Sequence, residues 1–443
     1  MLNFTGHLFV DIGIAALCAF SGVSDPKLLR DEHLQAAADW LAERYTTPGP
    51  LQKHTRSLFF FNAGYYQKNP QIQHDFVARV LYSWRNPAQD QLDEPCVFCG
   101  RAAAYRATRE EVPLLNGREV YNFSPKGRAG IPICGFCSLA MQALPLGCFK
   151  SGKFLIAVHS DERNIILDLA REACRAMQKA LTLSTADDEA AVPNYPHEET
   201  RLAELLVSWV ARIDRKGWRP ASVTGCVFTN YGSDPSIRLF PLDAAVFAWL
   251  DEVLHHEDSS LPKAWERAVE RGWKRGPKED PNNRALQANE FYEALLKLPE
   301  DAEPFLKKRL LPVRHWGLVE TYLRRIMGMR PEKIALLREV GARCAQYSLH
   351  RRRFLYEFSR ENNYAAWRRA ILRAADESAS LYGRPLVTFD EFLELFTAGE
   401  GEYNDWRLAR DLITLIMIEQ RVIAGEIAEE EPEASFIDEE ETQ

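Results

Sequence analysis

Two short stretches of the chain decide how its middle folds: residues 94–100, which read EPCVFCG, and residues 133–137, which read ICGFC. Each stretch contains a Cys-x-x-Cys pair, and the complete spacing is C-x2-C-x34-C-x2-C. Two such turns can direct four thiolates toward one point, which is the tetrahedral donor set of a structural zinc ion. We therefore predict one Zn²⁺ bound by Cys96, Cys99, Cys134 and Cys137.

Two alternatives for these pairs are a pair of disulfides and a redox dithiol. The chain has nine cysteines, an odd number, and we interpret most of the other five as buried thiols. This pattern favours a reducing, cytoplasmic location over a disulfide framework. A redox motif needs only one pair beside a βαβ unit. Because four cysteines close the zinc shell, we expect a structural ion and not a catalytic one.

Hydrophobic spacing outside the pairs predicts an α+β multidomain chain. Strands are predicted at residues 57–62 and 153–160, and a hairpin at 222–230 and 236–240. Between the cysteine pairs, Asn116-Gly117 indicates a tight hairpin turn. The predicted segments are an α/β body at 1–93 and 151–284, an inserted zinc-knuckle module at 94–150, an all-α helical bundle at 285–425 and an acidic tail at 426–443.

Charge is distributed unevenly along the chain. The net charge is −8, but the tail at 426–443 contains nine acidic residues and no Lys or Arg, so the rest of the chain stands at +1. We expect this tail to be disordered. Residues 301–373 contain 17 Lys and Arg against seven Asp and Glu. Such an excess suggests a polyanionic partner for that segment.

Arginine dominates the basic segment, and its planar guanidinium is well suited to phosphates. Aromatic residues from Trp316 to Trp367 are interleaved with these arginines, as in proteins that follow single-stranded nucleic acid. The alternative is a solvated helical face above an aromatic core. The predicted strand-binding residues are Arg324, Arg325, Arg351, Arg352, Arg353, Arg368 and Arg369.

A polar, aromatic loop follows the predicted strand at 57–62. Such loops can place amides and lysines where base edges are read, although a plain surface loop is an equal alternative. The predicted contacts to duplex DNA are Lys53, Asn62, Gln67, Lys68 and Asn69.

Other chemistry has little support in the sequence. A charged cluster at residues 251–258 could hold a metal, but an exposed helix end explains it better. No phosphate-binding loop, dinucleotide fingerprint or nucleophile elbow is present, so we expect no enzymatic activity. The apolar run at residues 7–20 contains Asp11 and is too short to span a bilayer, so we expect no membrane association.

The N-terminal stretch TGHLFVDIGIAAL, with Thr5, Gly6, His7, Asp11 and Gly13, resembles the opening of the CRISPR-associated CXXC–CXXC proteins. The two cysteine pairs with a long insert resemble the motif that gives this family its name. The resemblance covers about the first 150 residues.

The resemblance implies that the chain is the large subunit of a type I-B Cascade complex. Such a subunit checks the short motif beside the target (the PAM), supports the displaced strand and helps recruit a separate effector, either a helicase-nuclease or a transposition protein. The implied partners are the other Cascade subunits, the guide RNA and the target duplex. The alternative function is a zinc-stabilised protein-interaction scaffold that does not recognise DNA.

Overall fold

The computed structural model describes residues 2–55, 58–59, 63–85, 92–115, 127–183, 194–216, 218–230, 235–273, 287–397 and 406–423. By internal contacts the chain divides into two compact units. Unit 1 comprises residues 1–248 and 272–298, and unit 2 comprises residues 249–271 and 299–443.

The helices, in chain order, are α1 (Leu8–Ser21), α2 (Asp31–Thr46), α3 (Pro50–Thr55), α4 (Pro70–Tyr82), α5 (Gly135–Ala143), α6 (Arg163–Leu183), α7 (Glu198–Arg212), α8 (Ala244–Leu254), α9 (Ser260–Arg271), α10 (Glu290–Leu295), α11 (Ala302–Phe305), α12 (Trp316–Arg325), α13 (Pro331–His350), α14 (Arg353–Arg360), α15 (Tyr364–Tyr382), α16 (Phe389–Phe396) and α17 (Trp406–Ile423). The strands are β1 (Tyr105–Ala107), β2 (Ile131–Ile133), β3 (Phe149–Ser151), β4 (Phe154–Ser160), β5 (Val223–Thr229) and β6 (Ser236–Leu242).

Unit 1 is built on a four-stranded antiparallel sheet in the order β3-β4-β5-β6. Leu155 of β4 is paired with Phe228 of β5, and both belong to the core that α1 and α6 share. On the opposite face, Gly225 of β5 approaches Leu202 of α7 so closely that a Cβ would lie 2.6 Å from a leucine methyl. Helices therefore cover both faces of the central strands.

Apart from Asp11 in its first turn, helix α1 is apolar on all sides and buried from Phe9 to Cys18. Such a helix must be surrounded by other elements. It packs against α5 at Gly13, where an added Cβ would lie 1.8 Å from the carbonyl oxygen of Ala140. The second glycine of the N-terminal motif is thus explained by close helix packing.

Unit 2 is helical in the described residues, and aromatic side chains form much of its core. Trp249, Phe305 and Tyr322 contact one another through their rings. A second cluster joins Phe358 of α14, Trp367 of α15 and Phe396 of α16. Gly341 of α13 allows close approach of α17, since a Cβ there would lie 2.8 Å from the Ile416 side chain.

The predicted fold class is confirmed: the chain mixes helices and strands, brings its four knuckle cysteines together and ends in a helical region. The strand at 153–160 and the hairpin at 222–240 are also confirmed. Helix α10, which we predicted to open the C-terminal bundle, groups with unit 1.

Not every predicted element is seen. Of the predicted strand at 57–62, only Leu58 and Phe59 are described. Their amides donate to the Thr55 carbonyl, so these two residues continue the turn after α3 and are not paired in a strand. The Asn116-Gly117 turn and the acidic tail lie outside the described residues. No helix in the described part of the chain is long and apolar enough to cross a membrane.

Candidate functional site

The first Cys-x-x-Cys turn is held by backbone hydrogen bonds. The Cys96 amide donates to the Arg101 carbonyl at 2.6 Å, and the Gly100 amide donates to the Cys96 carbonyl at 2.9 Å. Gly100 has φ +74°, a left-handed conformation that glycine adopts without steric cost. The Val97 amide donates to the Pro132 carbonyl at 3.1 Å, which joins this turn to β2.

The second pair lies where β2 passes into α5. Cys134 caps α5, and its sulfur accepts a hydrogen bond from the Cys137 amide at 3.4 Å. Strand β2 pairs antiparallel with β1, with Tyr105 opposite Ile133. The long insert therefore returns to its starting point, and this closure brings the second pair beside the first.

The four cysteine sulfurs all lie within 4.8 Å of one another, and Cys99 and Cys134 are 3.4 Å apart. A tetrahedral shell with Zn–S bonds of about 2.3 Å places its sulfurs about 3.8 Å apart, so this spacing fits. A disulfide needs about 2.05 Å and does not fit. Among the described residues, this is the one group of His, Cys, Asp and Glu whose ligand atoms approach closely enough for a metal.

The electrostatics of the cluster also favour a bound cation. Hydrogen bonds from Cys134 and Cys137 lower the pKa of Cys96 far below its ordinary value and that of Cys99 to about 7. The same network raises the pKa of Cys137, chiefly through its hydrogen bond to Cys134, and raises that of Cys134 although the Cys137 contact opposes this, so without a metal two of the four groups are thiolates. The adjacent N-terminus of α5 further stabilises negative charge. Since thiolates are the form that ligates metals, the cluster could hold a thiophilic metal ion.

Residues 89–149 match the family model described as CRISPR-associated protein (Cas_CXXC_CXXC). The match spans both cysteine pairs, the β1–β2 ribbon and α5. It supports the predicted relationship to the CRISPR-associated CXXC family over this segment. Searches of the curated proteins and of the solved structures found no match.

The N-terminal stretch TGHLFVDIGIAAL, which carries part of the resemblance, forms a buried hydrogen-bonded network around Asp11. The Asp11 carboxylate, which is 1% exposed, accepts from the amide and hydroxyl of Thr5 and from the amide of Gly6 at 2.6–2.9 Å. His159 of β4 lies 3.1 Å from the same carboxylate. These contacts satisfy a buried charge, so the motif fixes the first loop against α1 and the sheet.

The N-terminal loop also reaches the cysteine cluster. The ring of His7 contacts Phe98, inside the first Cys-x-x-Cys turn, with 4.6 Å between centroids. Burial lowers the pKa of His7, although the nearby Asp11 opposes this effect. The two parts of the sequence that carry the resemblance are therefore in contact.

The predicted duplex contacts lie around α3 and the turn before α4. Lys53, Lys68 and Asn69 are exposed, whereas Gln67 is half-buried. Asn69 caps α4 by accepting from the Gln71 amide at 2.9 Å, so its carbonyl oxygen already has a structural role. Asn62 lies outside the described residues.

A hydrogen bond of 2.7 Å between Thr55 and Tyr66 joins α3 to the turn before α4. It brings the segment that carries Lys53 beside the segment that carries Gln67 and Lys68. The structure thus gathers these predicted residues into one region, although their DNA contacts stay a prediction.

The predicted strand-binding arginines divide into paired and unpaired groups. Arg324 and Arg325 both pair with the single carboxylate of Glu252, the latter at 2.7 Å. Arg351 pairs with Glu377 of α15 at 2.8 Å. These three side chains are partly neutralised, which a sequence-based count of charges cannot reveal.

Four of the predicted arginines are exposed: Arg352, Arg353, Arg368 and Arg369. They have no ion pair or hydrogen bond with any other side chain in the described part of the chain. The first two lie where α13 passes into α14, and the last two lie on α15. Ring contact between Phe358 and Trp367 joins α14 to α15, so the four arginines belong to neighbouring elements.

The aromatic residues between these arginines correct one expectation. Most of them are buried and form the core of unit 2: Trp316, Tyr322, Tyr347, Phe354, Phe358 and Trp367. The apolar face of each amphipathic helix accounts for their inward direction. Tyr364 is half-buried, and Tyr356 is the exposed member of the set at 58%; sequence analysis did not separate it from the others.

The charged residues at 251–258 form local pairs, and their ligand atoms are not among the described groups that converge on one point. Asp251 contacts His255 at 3.0 Å, and Asp258 accepts from the hydroxyl of Ser260 at 2.7 Å. His315 lies 3.2 Å from that hydroxyl, an arrangement that superficially resembles a serine–histidine pair. However, Nδ1 of His315 accepts from the Leu318 amide, so Nε2 carries the proton and cannot act as a base toward Ser260.

Proposed function

We propose that this chain is the large subunit of a type I-B CRISPR Cascade complex and performs no chemistry of its own. The observation that carries the proposal is the family match at 89–149, because it falls on the four-cysteine cluster. The N-terminal Thr5–Asp11 network gives further support, since it contacts the same module. In this role the chain works in the cytoplasm with the other Cascade subunits and the guide RNA.

The metal in this proposal is one structural Zn²⁺. Four cysteine ligands leave no open coordination position for water or substrate. When bound, the ion supplies charge neutralisation and a cross-link between the two Cys-x-x-Cys turns. Protein that has been denatured, stripped of metal and refolded with zinc should contain one zinc per chain by elemental analysis. A preparation with full DNA-binding activity but no zinc would exclude this assignment.

Two surfaces divide the recognition of DNA in the proposed complex. Base pairing with the guide reads the target sequence, while the protein reads a short adjacent motif and supplies backbone affinity. Lys53, Asn62, Gln67, Lys68 and Asn69 would contact the motif-bearing duplex. The predicted arginines would hold the displaced strand: Arg324, Arg325, Arg351, Arg352, Arg353, Arg368 and Arg369. A separate helicase-nuclease or transposition protein would then act as effector.

The division can be tested with the assembled complex and duplexes that carry different adjacent motifs. Replacing Gln67 and Lys68 by alanine should change the ranking of motifs. Replacing Arg352 and Arg353 by alanine should weaken the binding of all duplexes by the same factor, because phosphate contacts are independent of sequence. A Lys27→Ala variant, which removes an exposed lysine elsewhere, serves as the control.

The outcomes separate the two functions under consideration. Binding that weakens steeply with salt supports DNA contact through phosphates. Binding that is independent of salt, with intact assembly of the other subunits, would favour the protein-interaction scaffold. If the arginine variant changed motif ranking and the Gln67/Lys68 variant did not, the proposed roles of the two surfaces would be reversed.

A further inference from the structure

Helix α14 carries an exposed aromatic side chain in basic surroundings. Its inner face consists of Phe354 and Phe358, which are 4% and 1% exposed and pack in the core of unit 2. Tyr356 lies on the outer face at 58% exposed. Since one apolar side chain at a surface is common by itself, the chemistry of its neighbours decides its meaning.

Arg360 is one turn from Tyr356 and orients its ring. The guanidinium carbon lies 4.7 Å from the ring centroid, and the guanidinium donates to the phenol oxygen at 3.4 Å. This cation–π contact restrains the tyrosine without burying it. The ring is therefore partly pre-ordered in an exposed position.

Unpaired positive charge lies immediately before this tyrosine. Arg352 and Arg353 are exposed and make no ion pair within the described part of the chain. Arg353 and Tyr356 are three residues apart on α14, and this spacing places them on the same helical face. The exposed acid on that face is Glu357, so the face has an excess of positive charge.

An exposed ring beside unpaired guanidinium groups fits one class of ligand particularly well. Single-stranded nucleic acid presents unstacked bases next to phosphates, and proteins bind it by stacking aromatics on the bases and placing cations on the backbone. Duplex DNA hides its bases from stacking, and an acidic peptide would need the arginines but not the ring. The combination on α14 therefore favours an unpaired strand.

We infer that Tyr356 stacks on an unpaired base of single-stranded DNA while Arg352 and Arg353 bind the adjacent phosphates. This inference rests on the proposed function, because the displaced strand is its expected ligand. It adds a specific stacking residue to a surface where the sequence analysis named only arginines as contacts and did not single out any one aromatic residue. Tyr356 acts here through its ring and not through its hydroxyl group.

The test measures binding of fluorescent oligo(dT) and oligo(rU) to the full zinc-loaded chain over a range of salt concentrations. Tyr356→Ala should weaken oligo(dT) binding by about 5- to 150-fold, the range that corresponds to loss of one base–aromatic stack. Tyr356→Phe should bind like the unaltered chain, because it keeps the ring. Phe389→Ala is the matched control, since Phe389 is 75% exposed but lies beside acidic residues of α16.

The salt dependence of binding separates the contribution of the Tyr356 ring from that of the arginine charges. Tyr356→Ala should leave the slope of log K against log salt unchanged, whereas Arg352→Ala with Arg353→Ala should reduce it by about 1.4, or about 0.7 for each phosphate contact. Circular dichroism and thermal unfolding should be unchanged in all variants, because each replaced side chain is exposed.

Each outcome has a defined meaning. If the unaltered chain binds with a steep salt slope but Tyr356→Ala binds equally well, or loses no more than Phe389→Ala, the stacking role is excluded and the proposed function stands. If the unaltered chain does not bind oligo(dT) at all, the strand-holding part of the proposed function fails as well. Tighter binding to oligo(rU) than to oligo(dT) would overturn the assignment to DNA.

Discussion

At the scale of single residues, His54 shows how a buried titratable group couples folding to pH. Its side chain is 1% exposed in α3, and neither ring nitrogen makes a hydrogen bond within the described part of the chain. Burial is the main cause that lowers the pKa of His54 to about 3; the positive charge of Lys150 acts in the same direction, and the backbone of Pro145 opposes both. The folded protein thus keeps this ring neutral.

We predict acid destabilisation that depends on His54. Between about pH 6.5 and pH 3 the unfolded chain protonates this histidine and the folded chain does not, so the free energy of unfolding falls as the pH falls. At pH 5 the loss from this group is about 2 kcal/mol. Denaturant unfolding at several pH values should show a flatter pH profile for His54→Leu than for the unaltered chain. His74→Leu, which replaces an exposed histidine, is the control, and identical profiles for all three proteins would contradict the prediction.

At this scale, the sequence predicts contacts that depend on local residue types and spacing, but not contacts between residues that are far apart in the chain. The convergence of the four cysteines could be predicted, because the residue types and their spacing are almost independent of the remaining fold. The partners of Asp11 were not, since His159 is 148 positions away. The pairing of Arg324 and Arg325 with Glu252 was hidden for the same reason, because a long-range ion pair leaves no local pattern.

At the scale of elements, the two cysteine pairs of the module are held in place by different kinds of contact. Cys134 and Cys137 are held by α5, which packs against the buried α1 at Gly13. Cys96 and Cys99 lie in a turn fixed mainly by a few backbone hydrogen bonds. Loss of a bound metal should therefore affect the two halves of the module differently.

We predict that Cys96→Ser with Cys134→Ser abolishes zinc binding and loosens the first turn more than α5. Hydrogen exchange should accelerate by at least about tenfold at the amides of residues 96–101, while amides of α5 keep most of their protection. Cys344→Ser makes the same atomic change at a buried cysteine of α13 and should retain zinc. Equal protection at residues 96–101 in the double variant and the unaltered chain would show that the metal does not hold this turn.

Helices and strands were predicted correctly where the periodic hydrophobic pattern was long. The prediction failed where a short apolar run was buried by contacts with distant parts of the chain. The hairpin of β5 and β6 follows from alternating residues, and α13 follows from a 20-residue helical pattern. Residues 58–59 are apolar because they are buried, and an apolar run alone cannot distinguish a strand from a buried turn. Likewise, the period of the C-terminal aromatics identified helices but could not tell which ring remained exposed.

At the scale of the whole molecule, the basic character of residues 301–373 is reduced by ion pairs with other segments. Glu252 neutralises part of the charge of Arg324 and Arg325, and Glu377 does so for Arg351. The most available charge therefore lies around α14 and α15. The exposed, unpaired positive charge covers a smaller surface than the excess of Lys and Arg in the sequence indicates.

We predict unequal contributions from two arginine pairs. Arg352→Ala with Arg353→Ala should weaken oligo(dT) binding and lower its salt slope, whereas Arg324→Ala with Arg325→Ala should change both much less, because Glu252 competes with phosphate for these side chains. In the otherwise unaltered chain, Glu252→Gln should free Arg324 and Arg325 and raise the slope by at most about 1.4. Fluorescence anisotropy against salt measures all three effects. A larger loss from the Arg324/Arg325 pair would show that Glu252 does not restrain them.

The pairing of β1 with β2 determines how well the segment between these strands can tolerate insertions. Because Tyr105 pairs with Ile133, the polypeptide between the strands forms a closed loop whose two ends are fixed beside the cysteines. The entropy of closing such a loop grows only with the logarithm of its length, and doubling the loop costs only about 0.6 kcal/mol. Glu111, which follows β1, is buried and pairs with Arg79, so an insertion should be placed beyond this anchored part of the connection. There a fluorescent or affinity tag should cost little free energy for the closure of the cysteine cluster.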